Sequence, residues 1–300
     1  MLVTSKELVE KAKAGNYAVG AFNAINMESA QSIFAAAEEE KAPFILQITA
    51  TTLSYTAPEE LVAMIKALIK RASVPAALHL DHGRDYQTVL KFLRFGFSSV
   101  MIDGSLQADG KSPRTYEENI EVTRKAAEAA HLLGVSVEGE IGRLGQIGLE
   151  ITAEDEALTR PEEAEKFIKD TGVDLLAVSI GTHHGLFKGK PVIRHDRIKE
   201  IAETIPTPLV MHGGTGVPDE DVRKAISLGI RKVNIDTEIR VAFIETMKEE
   251  IKKLEDEHKK ADETEGIRKY DIRKILKPCR ESAKKAIAVK MRLFGSSGKA

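Results

Sequence analysis

The chain has 300 residues, 42% of them hydrophobic and 30% charged, which is enough to bury a substantial core, and no Pro/Gly/Ser-rich break divides it into halves. A formal charge of -2, with Lys and Arg scattered and not striped, excludes the electrostatic footprint of a nucleic-acid or anionic-membrane binder, and no run of about 18 apolar residues marks a transmembrane helix. The single Cys279 excludes an intrachain disulfide and fits a reducing compartment, and the N-terminus lacks a signal-peptide core, so a cytoplasmic protein is expected.

In chain order, Thr4 and Glu7 stand at capping-box spacing and open an amphipathic helix. Short apolar runs then read as strands at residues 18–25, 44–50, 76–81 and 99–103, and again at 136–141, 175–181, 208–212 and 232–236. Between them lie stretches of 3.6-residue periodicity, such as residues 116–133 and 161–171. A charged helix follows at 238–260, and an amphipathic one at 280–294. Apolar strands alternating with amphipathic helices imply a parallel sheet covered on its faces, and eight units at this length predict one (β/α)8 barrel over residues 1–300. A doubly wound sheet ranks second, because Gly20-Ala21-Phe22-Asn23-Ala24-Ile25 carries no dinucleotide fingerprint. Two long polar loops, residues 104–114 and 142–160, fall after strands four and five, on the face where such barrels carry their chemistry.

Of eight histidines, His82, His184 and His212 stand where strands three, six and seven end. A lone histidine is ordinarily a hydrogen-bonded core or loop residue, but strand ends of a barrel converge, so three imidazoles there can hold one cation and leave a position open for substrate. Asp81 precedes His82 at the end of an apolar strand, where it serves either as general acid and base or as a carboxylate orienting a ligand histidine. Asp103, Glu138 and Glu140 end neighbouring strands, the two glutamates on one face, fit either for a second metal or for ion pairs with the cluster. The loop His212-Gly213-Gly214-Thr215-Gly216 and the segment Asn234-Ile235-Asp236-Thr237 occupy the usual phosphate position of the fold, which predicts a phosphorylated substrate.

Together these residues resemble the class II zinc-dependent ketose-bisphosphate aldolases, from Tyr17-Ala18-Val19-Gly20-Ala21-Phe22-Asn23 to Met291-Arg292-Leu293-Phe294-Gly295-Ser296. The resemblance implies Asp81 as catalytic residue, His82, His184 and His212 as zinc ligands, and Asp103 and Glu140 at positions that hold a second divalent metal in some members. It places Gly185, Gly213, Gly214, Thr215, Asn234, Ile235, Asp236 and Thr237 at the dihydroxyacetone phosphate site, and Asn23 among the substrate-binding residues. Zinc would polarise the ketose carbonyl, and a glutamate on the loop after strand five would exchange the C3 proton. There the chain departs from the family: relatives have Gly-Gly-x-Glu-Asp, whereas this chain reads Gly145-Gln146-Ile147-Gly148-Leu149-Glu150, leaving Glu150 as the candidate. The segment after Asp103 is also longer than usual, with Leu106 where many relatives have histidine. Arg280 resembles fructose-bisphosphate members and Thr49 tagatose-bisphosphate members, with fructose 1,6-bisphosphate favoured. A metal-dependent barrel hydrolase and a non-catalytic sugar-phosphate sensor are the rival readings, and a homodimer or homotetramer is the family-level expectation.

Overall fold

A computed structural model describes residues 1–109, 112–142, 158–182, 185, 191–260 and 271–300. Its parallel strands β1 (Val19–Asn23), β2 (Phe44–Thr49), β3 (Ala76–Gly83), β4 (Ser99–Ile102), β5 (Ser136–Ile141), β6 (Leu175–Val178), β7 (Leu209–Met211) and β8 (Ile230–Ile235) close into a barrel in chain order, β8 returning to β1. The helices are α1 (Ser5–Gly15), α2 (Met27–Glu40), α3 (Pro58–Arg71), α4 (Tyr86–Arg94), α5 (Tyr116–His131), α6 (Pro161–Thr171), α7 (His195–Thr204), α8 (Asp219–Leu228), α9 (Thr237–Lys260) and α10 (Arg273–Leu293). The expected eight-stranded barrel is the observed fold, and no helix among the described residues is long and apolar enough to cross a membrane.

Alternation along the strands separates two cores. Phe22, Leu46, Leu78, Leu80, Val100, Val137, Leu176, Leu209 and Val233 face outward and pack with the helices into the main cluster. Their neighbours face the interior, where Val19, Ala21, Ile45 and Ala77 meet Leu8 and Ala12, while Leu175, Ala177 and Val210 meet Val9. Helix α1 therefore plugs the bottom of the barrel with one apolar face. Its start is fixed by the capping box: Thr4 Oγ1 accepts from the Glu7 N–H and Glu7 Oε1 from the Thr4 N–H, each at 3.1 Å. Above this plug the interior becomes polar, with Gln47, His79, Ser99, Glu138 and Lys232 all buried.

The differences from the sequence reading are at element ends. β1, β2, β4, β6 and β7 stop short of the predicted ends, which leaves Asp103 and His212 in the loops just past the last ladder residues. β8 starts two residues earlier than expected, at Ile230, and ends at Ile235, while β3 runs on to Gly83. Helix α10 begins at Arg273 and continues through Pro278, where proline removes one helical N–H donor. Its buried face of Cys279, Ala283, Ile287 and Met291 offsets that loss by packing.

Candidate active site and metal centre

Adjacent strand residues normally point to opposite faces, yet Asp81 and His82 both serve the barrel mouth. The pairing of β3 with β4 explains this: Leu80 pairs with Val100 and Gly83 with Ile102, so Asp81 and His82 together oppose Met101 alone. This bulge gives His82 a φ of 50°, a left-handed conformation that is uncommon for a residue with a Cβ. Gly83 completes the turn because a Cβ there would stand 2.6 Å from the Met101 carbonyl oxygen.

Asp81 is held from three strands. Asn23 Nδ2 donates to its Oδ2 at 2.9 Å and Gln47 Nε2 at 3.3 Å, while Asn234 Nδ2 donates to Oδ1 at 3.4 Å. Burial pushes this carboxyl up, but His82, His212, Lys232 and the Asn23 amide together bring it below the ordinary aspartate range, so it is an ionised proton acceptor.

His82 Nε2 and His212 Nδ1 stand 3.2 Å apart, with Asp81 Oδ1 3.8 Å from His82 Nε2. Two imidazole nitrogens sharing one tetrahedral zinc ion at ~2.0–2.1 Å would stand about 3.3 Å apart, so the spacing fits the ion. The ring of His212 is oriented from below by its Nε2–H, which donates to Glu138 Oε1 at 2.8 Å and leaves the Nδ1 lone pair facing the mouth.

On the other side of His82, its Nδ1 lies 3.3 Å from Asp103 Oδ2 and 4.0 Å from Glu140 Oε2. Asp103 also accepts from Ser105 Oγ at 2.6 Å and from Arg84 Nη1 at 3.2 Å. Burial and the charge of Asp103 push Glu140 well above the ordinary carboxylate range, and its buried Oε2 has no hydrogen-bond partner among the described residues. Burial disfavours a charged His82, yet Asp81, Asp103 and Glu140 carry it up to about 9. Side chains that hold an imidazole protonated at neutral pH carry more negative charge than they neutralise, a demand a divalent cation meets in place of the proton. Asp81, His82 and His212 form one group with metal-ligand spacing, and His82, Asp103 and Glu140 a second.

Thr49 pairs in register with Asp81, and its hydroxyl contacts those of Thr51 at 2.8 Å and Thr52 at 3.1 Å. After β7, Gly213 (φ 64°) and Gly216 (φ 80°) turn the chain, and the Gly214 N–H donates to the Asn234 carbonyl at 3.3 Å. A Cβ on Gly214 would press on Val233 at 2.9 Å, so the β7 and β8 loops are drawn together by the absence of a side chain. Thr215 is buried there, and Thr237 opens α9 directly after Asp236, whose carboxylate pairs with Arg240 at 2.6 Å. Ile235 differs from its neighbours: its side chain belongs to the outer core, so only its backbone can face a ligand. Gly185 has φ 90°. Arg280 lies on α10, its carbonyl accepting from Ser32 Oγ at 3.2 Å, and its guanidinium makes no hydrogen bond or ion pair among the described residues. His184 and Glu150 lie outside the described residues, as does most of the 142–160 loop. The 104–114 loop folds back on itself through a Leu106 to Pro113 bridge, and Arg114 Nη2 donates to the Arg84 carbonyl at 3.1 Å.

The sequence reading passed over Gln47, Arg84 and Lys232. Lys232 had a signal, since it shares the alternation of Asn234 on β8 and must face the same interior. Gln47, alone among Phe44-Ile45-Leu46 and Ile48, had a weaker one.

A family model described as Fructose-bisphosphate aldolase class-II matches residues 3–299. The chain is similar to a fructose-bisphosphate aldolase from Thermus caldophilus, 44% identical over 325 aligned residues with 100% of both chains covered. It is 41% identical to a sulfofructosephosphate aldolase from Alkalicoccus urumqiensis, covering 99% of this chain and 98% of the relative. Among solved structures, the YdjI aldolase from Escherichia coli K12 superimposes with a TM-score of 0.85 at 31% identity, covering 100% of each chain.

Proposed function

The chain belongs to the class II fructose-bisphosphate aldolase family, and from that premise we propose that it reversibly cleaves a ketose 1,6-bisphosphate, with fructose 1,6-bisphosphate ahead of tagatose 1,6-bisphosphate, to dihydroxyacetone phosphate and glyceraldehyde 3-phosphate. The observation that carries this reading is the facing pair of His82 Nε2 and His212 Nδ1 with Asp81 beside them at the mouth of the barrel. His82, His212 and His184 would hold a zinc ion, and Asp103 with Glu140 would hold a second divalent cation. Bound zinc would supply Lewis-acid chemistry, polarising the ketose carbonyl and offsetting the negative charge that C3–C4 cleavage leaves on the dihydroxyacetone phosphate half.

Asp81 takes the proton of the C4 hydroxyl as C4–O becomes the aldehyde carbonyl and the electron pair of the C3–C4 bond passes to C3. In condensation it returns that proton. Asn23 and Gln47 hold Oδ2 of Asp81, which fixes the carboxylate plane for the transfer. Glu150 is the candidate for exchanging the C3 proton of dihydroxyacetone phosphate. Gly185, Gly213, Gly214 and Thr215, with Asn234, Ile235, Asp236 and Thr237, form the site for the phosphate of that half, where the glycines let the chain approach an anion closely. Thr49 and Arg280 contact the other half, and the enzyme acts as a homodimer or homotetramer in the cytoplasm.

The test is triose-phosphate release from fructose 1,6-bisphosphate and tagatose 1,6-bisphosphate before and after EDTA and with zinc restored. The similarity to a sulfofructosephosphate aldolase adds a third arm, a sulfofructose phosphate. Cleavage abolished by EDTA and restored by zinc is expected, and the preferred ketose identifies the substrate. A folded, zinc-loaded protein that cleaves none of them rejects the reading.

A further inference from the structure

One layer below the proposed chemistry, the barrel interior holds an ion pair that no step uses. Lys232 on β8 and Glu138 on β5 are fully buried, and Lys232 Nζ donates to Glu138 Oε2 at 2.7 Å. Withdrawing two charges from water costs more than their attraction ordinarily returns, and apolar residues of the same volume would fill this space without that cost. Stability is therefore a poor reason for the pair. Its geometry supplies another, because the second oxygen of the same carboxylate, Oε1, takes the Nε2–H of His212 at 2.8 Å. Among the described residues Lys232 makes the one hydrogen bond on Oε2: His79 Nε2 is 3.7 Å away, and His79 Nδ1 is engaged with Ser99 Oγ at 2.8 Å. With one oxygen held on each side, the Glu138 carboxylate is fixed between β5, β7 and β8.

We infer that Lys232 is a positioning residue for the metal centre: by clamping Oε2 of Glu138 it fixes the direction of Oε1, and through it the tautomer and ring orientation with which His212 presents Nδ1 at the mouth. Lys232 touches neither substrate nor metal and acts through Glu138 and His212. The inference rests on the metal-site reading above.

The test measures zinc affinity by chelator competition, and thermal unfolding of the metal-free protein, for the full-length wild type, Lys232→Met, Glu138→Gln and the double variant Lys232→Met/Glu138→Gln. Methionine keeps the length of the lysine stem, and the glutamine amide keeps an acceptor for His212 while losing the clamp. Both Lys232 variants are expected to bind zinc about 10–100-fold more weakly than wild type, the range for loss of a group that orients a ligand histidine. The double variant, with no unpaired buried charge, is expected to recover melting temperature lost by Lys232→Met without recovering zinc affinity. The visible spectrum of the cobalt-substituted double variant should differ from that of Glu138→Gln alone. A purely structural role for Lys232 predicts wild-type zinc affinity in Lys232→Met, and in the double variant the same zinc affinity and cobalt spectrum as in Glu138→Gln alone, and that result overturns the inference. If Lys232→Met fails to fold, the double variant decides by the same criterion. Failure of the wild type itself to bind zinc overturns instead the metal-site reading.

Discussion

At the residue scale, His82 concentrates the tension of the site. It is held at φ 50° between Asp81, Asp103 and Glu140, in a backbone region that costs a residue with a Cβ roughly 1–2 kcal/mol and costs glycine little. His82→Gly should therefore be more stable than His82→Ala by about 1 kcal/mol in the metal-free protein, reversing the order normally seen for strand residues. Urea unfolding of the two variants measures it, and equal stabilities would mean that the bulge relaxes once the imidazole is gone. Asp81 separates proton transfer from metal binding. Asp81→Asn keeps the shape, and its amide oxygen can still accept from Asn23 and Gln47; it is expected to lower kcat by about 10²–10⁴-fold while zinc content by metal analysis stays at the wild-type level. A kcat within about threefold of wild type would remove Asp81 from the proton-transfer role. The apolar run that ends at Asp81 marked it in the sequence, but β3 continues to Gly83, and alternation along the strand would turn His82 away from Asp81. The bulge that brings both to one site arises from pairing with β4, which lies outside any local window.

At the scale of elements, α1 is a plug whose seat depends on one half-buried carboxylate. Asp174, in the turn before β6, accepts from Lys6 Nζ of α1 at 2.9 Å, from the Val137 N–H of β5 at 2.9 Å and from His131 Nε2 of α5 at 2.9 Å. Burial pushes Asp174 up, yet these three donors hold it below the ordinary aspartate value. A carboxyl depressed in the folded state stabilises the protein above its unfolded pKa of about 3.9, and that contribution disappears as pH falls through its folded pKa. The stability difference between wild type and Asp174→Asn should accordingly be constant above about pH 5 and shrink steadily below pH 4. Urea unfolding across that range checks it, and a difference independent of pH would show that the Asp174 charge does not tether α1. The bounds of β5 and α6 were legible to the residue because Gly134 and Gly142 bracket the strand, and Pro161 in the first turn and Gly172 at the C-cap bracket the helix. The start of α10 was not, since Pro278 signals a helix boundary locally and only packing with α2 and α9 carries the helix past it.

At the scale of the whole molecule, the barrel mouth gathers Asp81, Asp103 and Glu140 around His82, with Arg84 paired to Asp103. A folded state with that surplus of negative charge binds a divalent cation that the unfolded chain does not hold as well, so the metal should stabilise the whole barrel. At a free zinc concentration about 100 times Kd the gain is roughly 2.7 kcal/mol, and Tm should rise on adding zinc to EDTA-treated protein and fall again on chelation. A Tm indifferent to zinc would mean that the cluster is satisfied by protons and by Arg84 alone. The same closure also makes the interior layered, apolar against α1 and polar toward the mouth.

The sequence by itself determined the eight strand-helix units, the capping box at Thr4 and Glu7, and the arrival of Asp81, Asp103, Glu140 and His212 at strand ends, because periodicity and capping are properties of a few consecutive residues. The tertiary structure decided the bulge at His82, the seating of Asp81 among Asn23, Gln47 and Asn234, and the pairing of Lys232 with Glu138 beneath His212. Those features join residues tens of positions apart on different strands, and a buried charge or amide can be assigned a partner only after barrel closure has fixed which side chains share its layer.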